Sequence, residues 1–256
     1  MERPGNDGEQ PNVGGGASQS LPAMSRRRLA GLAGAAALAA GGLAGTGAAA
    51  QAADEAPGQS PGPAEALRLL RDGNRRWARG TPRHPHQSLS WREHVAGHQQ
   101  PFATVISCID SRVPPELVFD RGLGDMFVIR TGAQTLDDQV VLGSIEFCPV
   151  NYRSARLVFV LGHQKCGAVK AAIEVIESGG RARGHIQAVV DALRPAYRAA
   201  KPLAGDLLEN MIRAQTRLTV RRLKLEPVLR RLIVTDGLRI VGGHYHLHSG
   251  RVEIIA

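Results

Sequence analysis

The chain has 256 residues, enough for one sizeable core and too few for two full catalytic domains. With 43% apolar and 21% charged residues it is not disordered, collagenous or a multi-span membrane protein, and three cysteines do not make a disulfide scaffold. The net charge is +9, but aromatics are only 4% and the arginines are scattered over several segments, so no nucleic-acid partner is expected.

Residues 1–52 read as a targeting segment rather than as fold. Ser25-Arg26-Arg27-Arg28-Leu29-Ala30 opens a weakly apolar stretch, Leu29 to Ala50, dominated by Ala and Gly. That stretch is too weakly hydrophobic for a permanent membrane span. Ala50-Gln51-Ala52 fits an A-x-A cleavage site. Together these resemble a twin-arginine export signal, cleaved near Ala52, and imply an exported protein without a membrane anchor. The alternative is a low-complexity tail with a chance arginine cluster. Met24 stands directly before the signal, so an internal start is the expectation.

Residues 53–63 form a Pro/Gly-rich linker, and 64–256 form one domain. Ala64–Arg79 carries Ala66, Leu69, Leu70 and Trp77 at helical spacing, and a polar loop then runs to Pro101. Apolar runs at Ala103–Ser107, Met126–Arg130, Leu157–Leu161 and Leu238–Val241 predict strands buried on both faces, as in parallel sheets. Helices are predicted over Leu136–Phe147, Ala168–Glu177, Ile186–Ala199 and Leu207–Leu223. Arg251–Ile255 reads as an antiparallel hairpin partner of Ile240–Leu247. The alternation predicts an α/β fold: a mostly parallel central sheet of about four strands plus a C-terminal edge strand, flanked by helices.

The chemistry-bearing residues fall where strands end. Cys108-Ile109-Asp110-Ser111-Arg112 follows the first strand and His163-Gln164-Lys165-Cys166-Gly167 follows the third. Carboxyl ends of strands in open α/β sheets converge on one crevice, so Cys108, His163 and Cys166 can meet there. Two thiolates and one imidazole suit Zn²⁺, and three protein ligands leave a fourth position open, the mark of a catalytic site. A Cys108–Cys166 disulfide and plain buried thiols are the alternatives.

Five ordered segments resemble the β-class carbonic anhydrases: Gly73-Asn74-Arg75-Arg76-Trp77, the run from Gln100-Pro101-Phe102-Ala103 into Cys108–Glu116, Gly122–Arg130, Gly162–Val169 and Gly250-Arg251-Val252-Glu253. The resemblance spans about residues 64–256. It implies a zinc enzyme interconverting CO₂ and bicarbonate, with Cys108, His163 and Cys166 as ligands. It casts Asp110 and Arg112 as a catalytic pair in which Asp110 either binds the metal or is held by Arg112. Substrate contacts would come from Gln134 and from the Gly167 backbone N–H at a helix N-terminus. It also implies a homodimer or higher homo-oligomer, with the N-terminal helix lying on a neighbour. A zinc hydrolase acting on carbonyl sulfide, and a non-enzymatic exported zinc or bicarbonate binder, are the rival readings.

Two departures stand out. Thr131-Gly132-Ala133-Gln134 exchanges Gly and Ala relative to the family's Ala-Gly-Asn or Ala-Gly-Gln turn. Of a Trp–Arg–Tyr trio that binds inhibitory bicarbonate in some members, only Arg130 remains, with Val105 and Phe147 at the other places. Cys148 is expected to be a packed thiol, and Asp120 and Asp125 turn-forming. His244, His246 and His248 are expected on one face of a surface hairpin. His84, His86, His94 and His98 share the polar loop, and the sequence does not choose a proton carrier among them.

Overall fold

The computed structural model describes residues 60–256. The targeting segment and most of the linker therefore lie outside the described residues. No helix among those described is long and apolar enough to cross a membrane.

The chain begins with helix α1 (Pro63–Ala78), which has Pro63 at its first turn, where a missing N–H costs nothing, and Arg75 and Arg76 in its last. A short helix α2 (Leu89–Ala96) follows, capped by the Ser88 side chain, which accepts from the Trp91 N–H. In the sequence this stretch reads as loop. The helix buries none of its residues, so it leaves no amphipathic period to find. Strand β1 (Ala103–Cys108) is buried throughout, and the single turn α3 (Pro115–Val118) leads to β2 (Met126–Thr131). A 3₁₀ turn, Gly132–Gln134, precedes α4 (Gln139–Asn151). This helix starts at Gln139 rather than Leu136 because the Asp138 carboxylate caps the N–H groups of Val140 and Val141.

Strand β3 (Leu157–His163) is followed by α5 (Gly167–Ser178), α6 (Ile186–Ala200) and α7 (Leu207–Leu225). Pro227 cannot continue α7 and instead starts α8 (Pro227–Thr235), which lies beyond the helix expected over Leu207–Leu223. Strands β4 (Arg239–Tyr245) and β5 (Val252–Ile254) close the chain as an antiparallel pair.

The sheet order is β2-β1-β3-β4-β5, with the first four strands parallel. The predicted fold class is therefore the observed one. One strand expectation fails: β2 is not buried on both faces but forms the half-exposed edge of the sheet.

The core follows strand periodicity. Val105, Phe159 and Val241 face Leu70 of α1 and Phe119, while Ile106, Val158 and Ile240 face Ile145, Leu223 and Leu229. A third cluster joins α5, α6 and α7 through Val169, Leu193 and Met211, and it includes both Cys108 and Cys166. Helix α1 buries Ala66 and Leu70 against this core.

Chain order and strand order part company between β1 and β3: β1 connects outward to β2, and the chain then crosses back to β3. Ligand crevices in open α/β sheets form at such a reversal, beyond the carboxyl ends of the strands. Cys108 ends β1 and His163 ends β3.

Candidate metal centre

Cys108, His163 and Cys166 are buried, and their ligand atoms all lie within 4.8 Å of one another. Three backbone features bring them there. The buried strands β1 and β3 place the first two side by side. Cys166 is the N-cap residue of α5, one loop beyond His163. Gly162 lets α7 close in: a Cβ there would stand 2.1 Å from Thr216 Oγ1, so only glycine permits this helix against the strand beside His163.

The donor set fits a tetrahedral zinc. Cys108 Sγ and Cys166 Sγ are 3.8 Å apart, and both are free thiols rather than a disulfide. Zn–S bonds of about 2.3 Å in a tetrahedron would space two sulfurs by about 3.8 Å. His163 Nδ1 lies 2.9 Å from the Gln164 carbonyl and donates to it, which turns the Nε2 lone pair inward. That Nε2 is buried and has no hydrogen-bond partner, a costly arrangement that a metal ion relieves.

Electrostatics point the same way. The hydrogen bond with Cys166 is the largest influence holding the Cys108 thiol down to about 4, helped by His163 and the Ala133 N–H. Cys166 is pushed up by the same contact and by burial, since two adjacent thiolates repel. A dication between them removes that repulsion and lets both ionise.

Asp110 and Arg112 stand at the rim. Arg112 holds Asp110 through both oxygens, Nε to Oδ1 at 2.9 Å and an η nitrogen to Oδ2 at 2.7 Å, and its backbone N–H adds a third bond at 3.0 Å. The side-chain bond is the main reason the Asp110 carboxyl falls to about 2. Arg112 also donates to the Lys165 carbonyl, which ties the first ligand loop to the second. Asp110 Oδ2 is 3.9 Å from His163 Nε2, beside the donor set.

Arg130, which the sequence offers only as the remnant of a bicarbonate trio, has a different role. It donates to the carbonyls of Cys108 (2.9 Å) and Asp110 (2.6 Å), clamping the first ligand loop against the edge strand. With Val105 in the core strand and Arg130 committed to these carbonyls, the inhibitory-bicarbonate trio is not assembled.

Ala133 sits in left-handed conformation (φ 53°, ψ 36°) at the place where the family's turn carries Gly. An L-residue there costs about 1–2 kcal/mol. The turn nevertheless forms, and it aims the Ala133 N–H at Cys108 Sγ, 3.4 Å away. Gln134 is buried, and its amide donates to the Leu161 carbonyl at 2.8 Å. Gly167 opens α5 with clear space where a side chain would be.

Other residues settle into structural places. Asp120 accepts from the N–H groups of Arg83 and His84, Asp125 pairs with His86, and Cys148 is packed inside. The histidine expectation needs correction. His244 is fully buried, because β4 runs beneath α7, and burial holds its imidazole down to about 4. Its Nε2 lies 3.0 Å from Glu209 without hydrogen-bond alignment. His246 packs edge-on against it, whereas His248 turns away to Lys165. Among the described residues, only Cys108, His163 and Cys166 come close enough to share an ion.

The pattern of the carbonic anhydrase family matches residues 103–252. A carbonic anhydrase of Mycolicibacterium smegmatis is 37% identical over 197 residues, covering 75% of this chain and 93% of that protein. Carbonic anhydrase 2 of Mycobacterium tuberculosis is also 37% identical, over 193 residues, with 75% and 92% covered. In fold, the chain is similar to a tetrameric β-carbonic anhydrase from Sordaria macrospora, with a TM-score of 0.60 at 23% identity over 75% of this chain and 98% of the other. A Coccomyxa β-carbonic anhydrase solved with acetazolamide gives 0.58 at 24% identity, with 74% and 86% covered. With its thiolate–imidazole–thiolate donor set at the sheet's reversal point, the chain belongs to the β-class carbonic anhydrases.

Proposed function

We propose that the domain hydrates CO₂ to bicarbonate and a proton, reversibly, with the metal held by Cys108, His163 and Cys166. The observation that carries this reading is the orphaned, buried His163 Nε2 facing two sulfurs spaced for zinc, with a carboxylate alongside. Zinc, when bound, supplies the Lewis acidity that lowers the pKa of a water from 15.7 toward about 7, a value established for three-histidine carbonic anhydrases.

The remaining steps belong to the protein's own groups. Asp110 Oδ2 accepts a hydrogen bond from the attacking water and fixes its lone pair toward the CO₂ carbon. Arg112 keeps that carboxylate ionised and oriented. The Gly167 N–H, at the start of α5, holds a bicarbonate oxygen. Gln134 fixes the end of β3 with one amide proton and offers the other to the substrate.

Stopped-flow CO₂ hydration on zinc-loaded protein tests the proposal, with carbonyl sulfide as the comparison substrate. Hydration at enzymatic rates with negligible sulfide release is expected. The reverse preference would favour the hydrolase, and inactivity toward both would leave a binding protein. Neither rival is favoured by any residue at the site.

The assembly we infer is a homo-oligomer built on the exposed edge of the sheet. Beside β2, an apolar groove is lined by Phe127, Ile129, Val140 and Phe147, and the last two are 75% and 54% exposed. An edge strand flanked by such a surface favours pairing with a second copy. Sedimentation of Val140→Asp/Phe147→Asp should show monomer where the parent chain shows dimer or larger. A monomeric parent would refute the assembly.

Export rests on Arg26 and Arg27 ahead of the Leu29–Ala50 stretch. Replacing both with Lys is expected to retain the protein inside the cell. Unchanged export, or export in cells lacking the twin-arginine route, would refute it.

A further inference from the structure

Arg71 and Arg75 of α1 and Arg79, its C-cap residue, recur every fourth residue and so fall on one side of the helix and its end. Like charges at that spacing repel. Only Arg75 has an acidic partner among the described residues, Asp72, while Arg71 and Arg79 have none. Arg251, from the turn between β4 and β5, adds a fourth guanidinium from the facing side. Together they ring a cavity of about 280 Å³ between α1 and β5. The wall beneath them is apolar: Val252 and Ile254 present its surface, over the buried rings of Phe119 and Phe159, which pack edge-to-face at 5.2 Å.

This cavity is preformed. Asn74, buried at its base, donates to the carbonyls of Val118 (3.0 Å) and Gly250 (2.8 Å) and accepts from the Val252 N–H (2.8 Å). One side chain thus fixes α1, the end of α3 and both sides of the hairpin. No residue of the metal centre lines the space.

We propose that this cavity binds a small organic anion, an apolar ring-sized body bearing a phosphate or a pair of carboxylates. The charge requirement comes from Arg71, Arg79 and Arg251, which have no acidic partner among the described residues and whose planar forks match carboxylate and phosphate oxygens two at a time, with Arg75 held beside them by Asp72. The apolar body comes from the surface that Val252 and Ile254 present over the buried phenylalanines. The volume, about 280 Å³, falls just under the usual range of small-molecule pockets, about 300–1,000 Å³, which sets the size and excludes a polymer threaded through the site.

Isothermal titration calorimetry of the zinc-loaded full chain with 1-naphthyl phosphate, at low salt, tests the proposal. One site per chain is expected, with a Kd below about 1 mM. Inorganic phosphate, lacking the ring, and 1-naphthol, lacking the charge, should each bind at least ~10-fold more weakly. Arg71→Gln/Arg79→Gln should weaken 1-naphthyl phosphate by roughly 10- to 100-fold, as expected for the loss of charge-assisted hydrogen bonds. These positions are exposed, so the double variant should keep its Tm and its CO₂ hydration rate. Absence of saturable binding overturns the proposal, as does equal affinity for inorganic phosphate, which would mark simple charge attraction. Undiminished binding in the double variant also overturns it, because the ligand would then sit elsewhere, the metal centre included.

Discussion

Replacing His163 with Ala is expected to empty the metal centre and end CO₂ hydration. The side chain is fully buried at the end of β3, and its Nε2 is the one nitrogen facing Cys108 and Cys166. Without it the two sulfurs, 3.8 Å apart, keep only half of a tetrahedral shell. Loss of a group that merely orients a ligand typically costs 10–100-fold in metal affinity or activity, so loss of the ligand itself should exceed ~100-fold in both. Elemental analysis should fall from one zinc per chain to a small fraction. Thermal unfolding separates this from general misfolding, because a metal bound only by the native state stabilises it. The parent chain should lose Tm when a chelator is added, whereas His163→Ala should not respond. A variant that retains stoichiometric zinc and a chelator-sensitive Tm would show that the ligand set is wrong.

The positions of Cys108, Asp110, His163 and Cys166 are legible in the sequence because each follows a short apolar run, and such runs are buried strands in a parallel sheet. Residues whose roles depend on register are not. Arg130 reads as the end of a strand, and its contacts with the Cys108 and Asp110 carbonyls exist only because β2 pairs with β1 so that Ser107 lies beside Arg130. The edge position of β2 is hidden for the same reason, since strand order is a property of the whole sheet. His244 shows the limit of alternation as a guide. The period correctly puts it on a face with His246, but it cannot say that α7 covers that face. Helix α2 escapes notice because it packs almost nothing and leaves no apolar stripe. The turn at Ala133 is legible only as a departure. That it keeps a left-handed backbone without glycine follows from the surrounding packing, which includes the Thr131 hydroxyl donating to the Thr135 carbonyl.

Asp110 and Arg112 are expected to fail in different ways when each is replaced. In the structure Arg112 occupies both carboxylate oxygens, and Asp110 Oδ2 waits 3.9 Å from His163 Nε2. Donors on a tetrahedral zinc with bonds of about 2 Å lie roughly 3.3 Å apart, so a small rotation of Asp110 brings it to the fourth position. Arg112→Ala removes the side chain that, among the described residues, holds Asp110 against that rotation. Hydration should fall at least ~100-fold, the scale of losing one oriented polar group at a reacting centre. Zinc should remain at one per chain, and X-ray absorption should detect a carboxylate oxygen joining the two sulfurs and one nitrogen. Asp110→Asn should be comparably slow because the acceptor for the attacking water is gone. An amide is a far poorer ligand than a carboxylate, so the fourth position should stay accessible to small anions. Titration with azide, followed in the cobalt-substituted protein by visible absorption, then separates the two: Asp110→Asn should respond and Arg112→Ala should not. Near-normal hydration in Arg112→Ala, with an azide response like that of the parent chain, would reduce Arg112 to the strut that joins the two ligand loops through the Lys165 carbonyl.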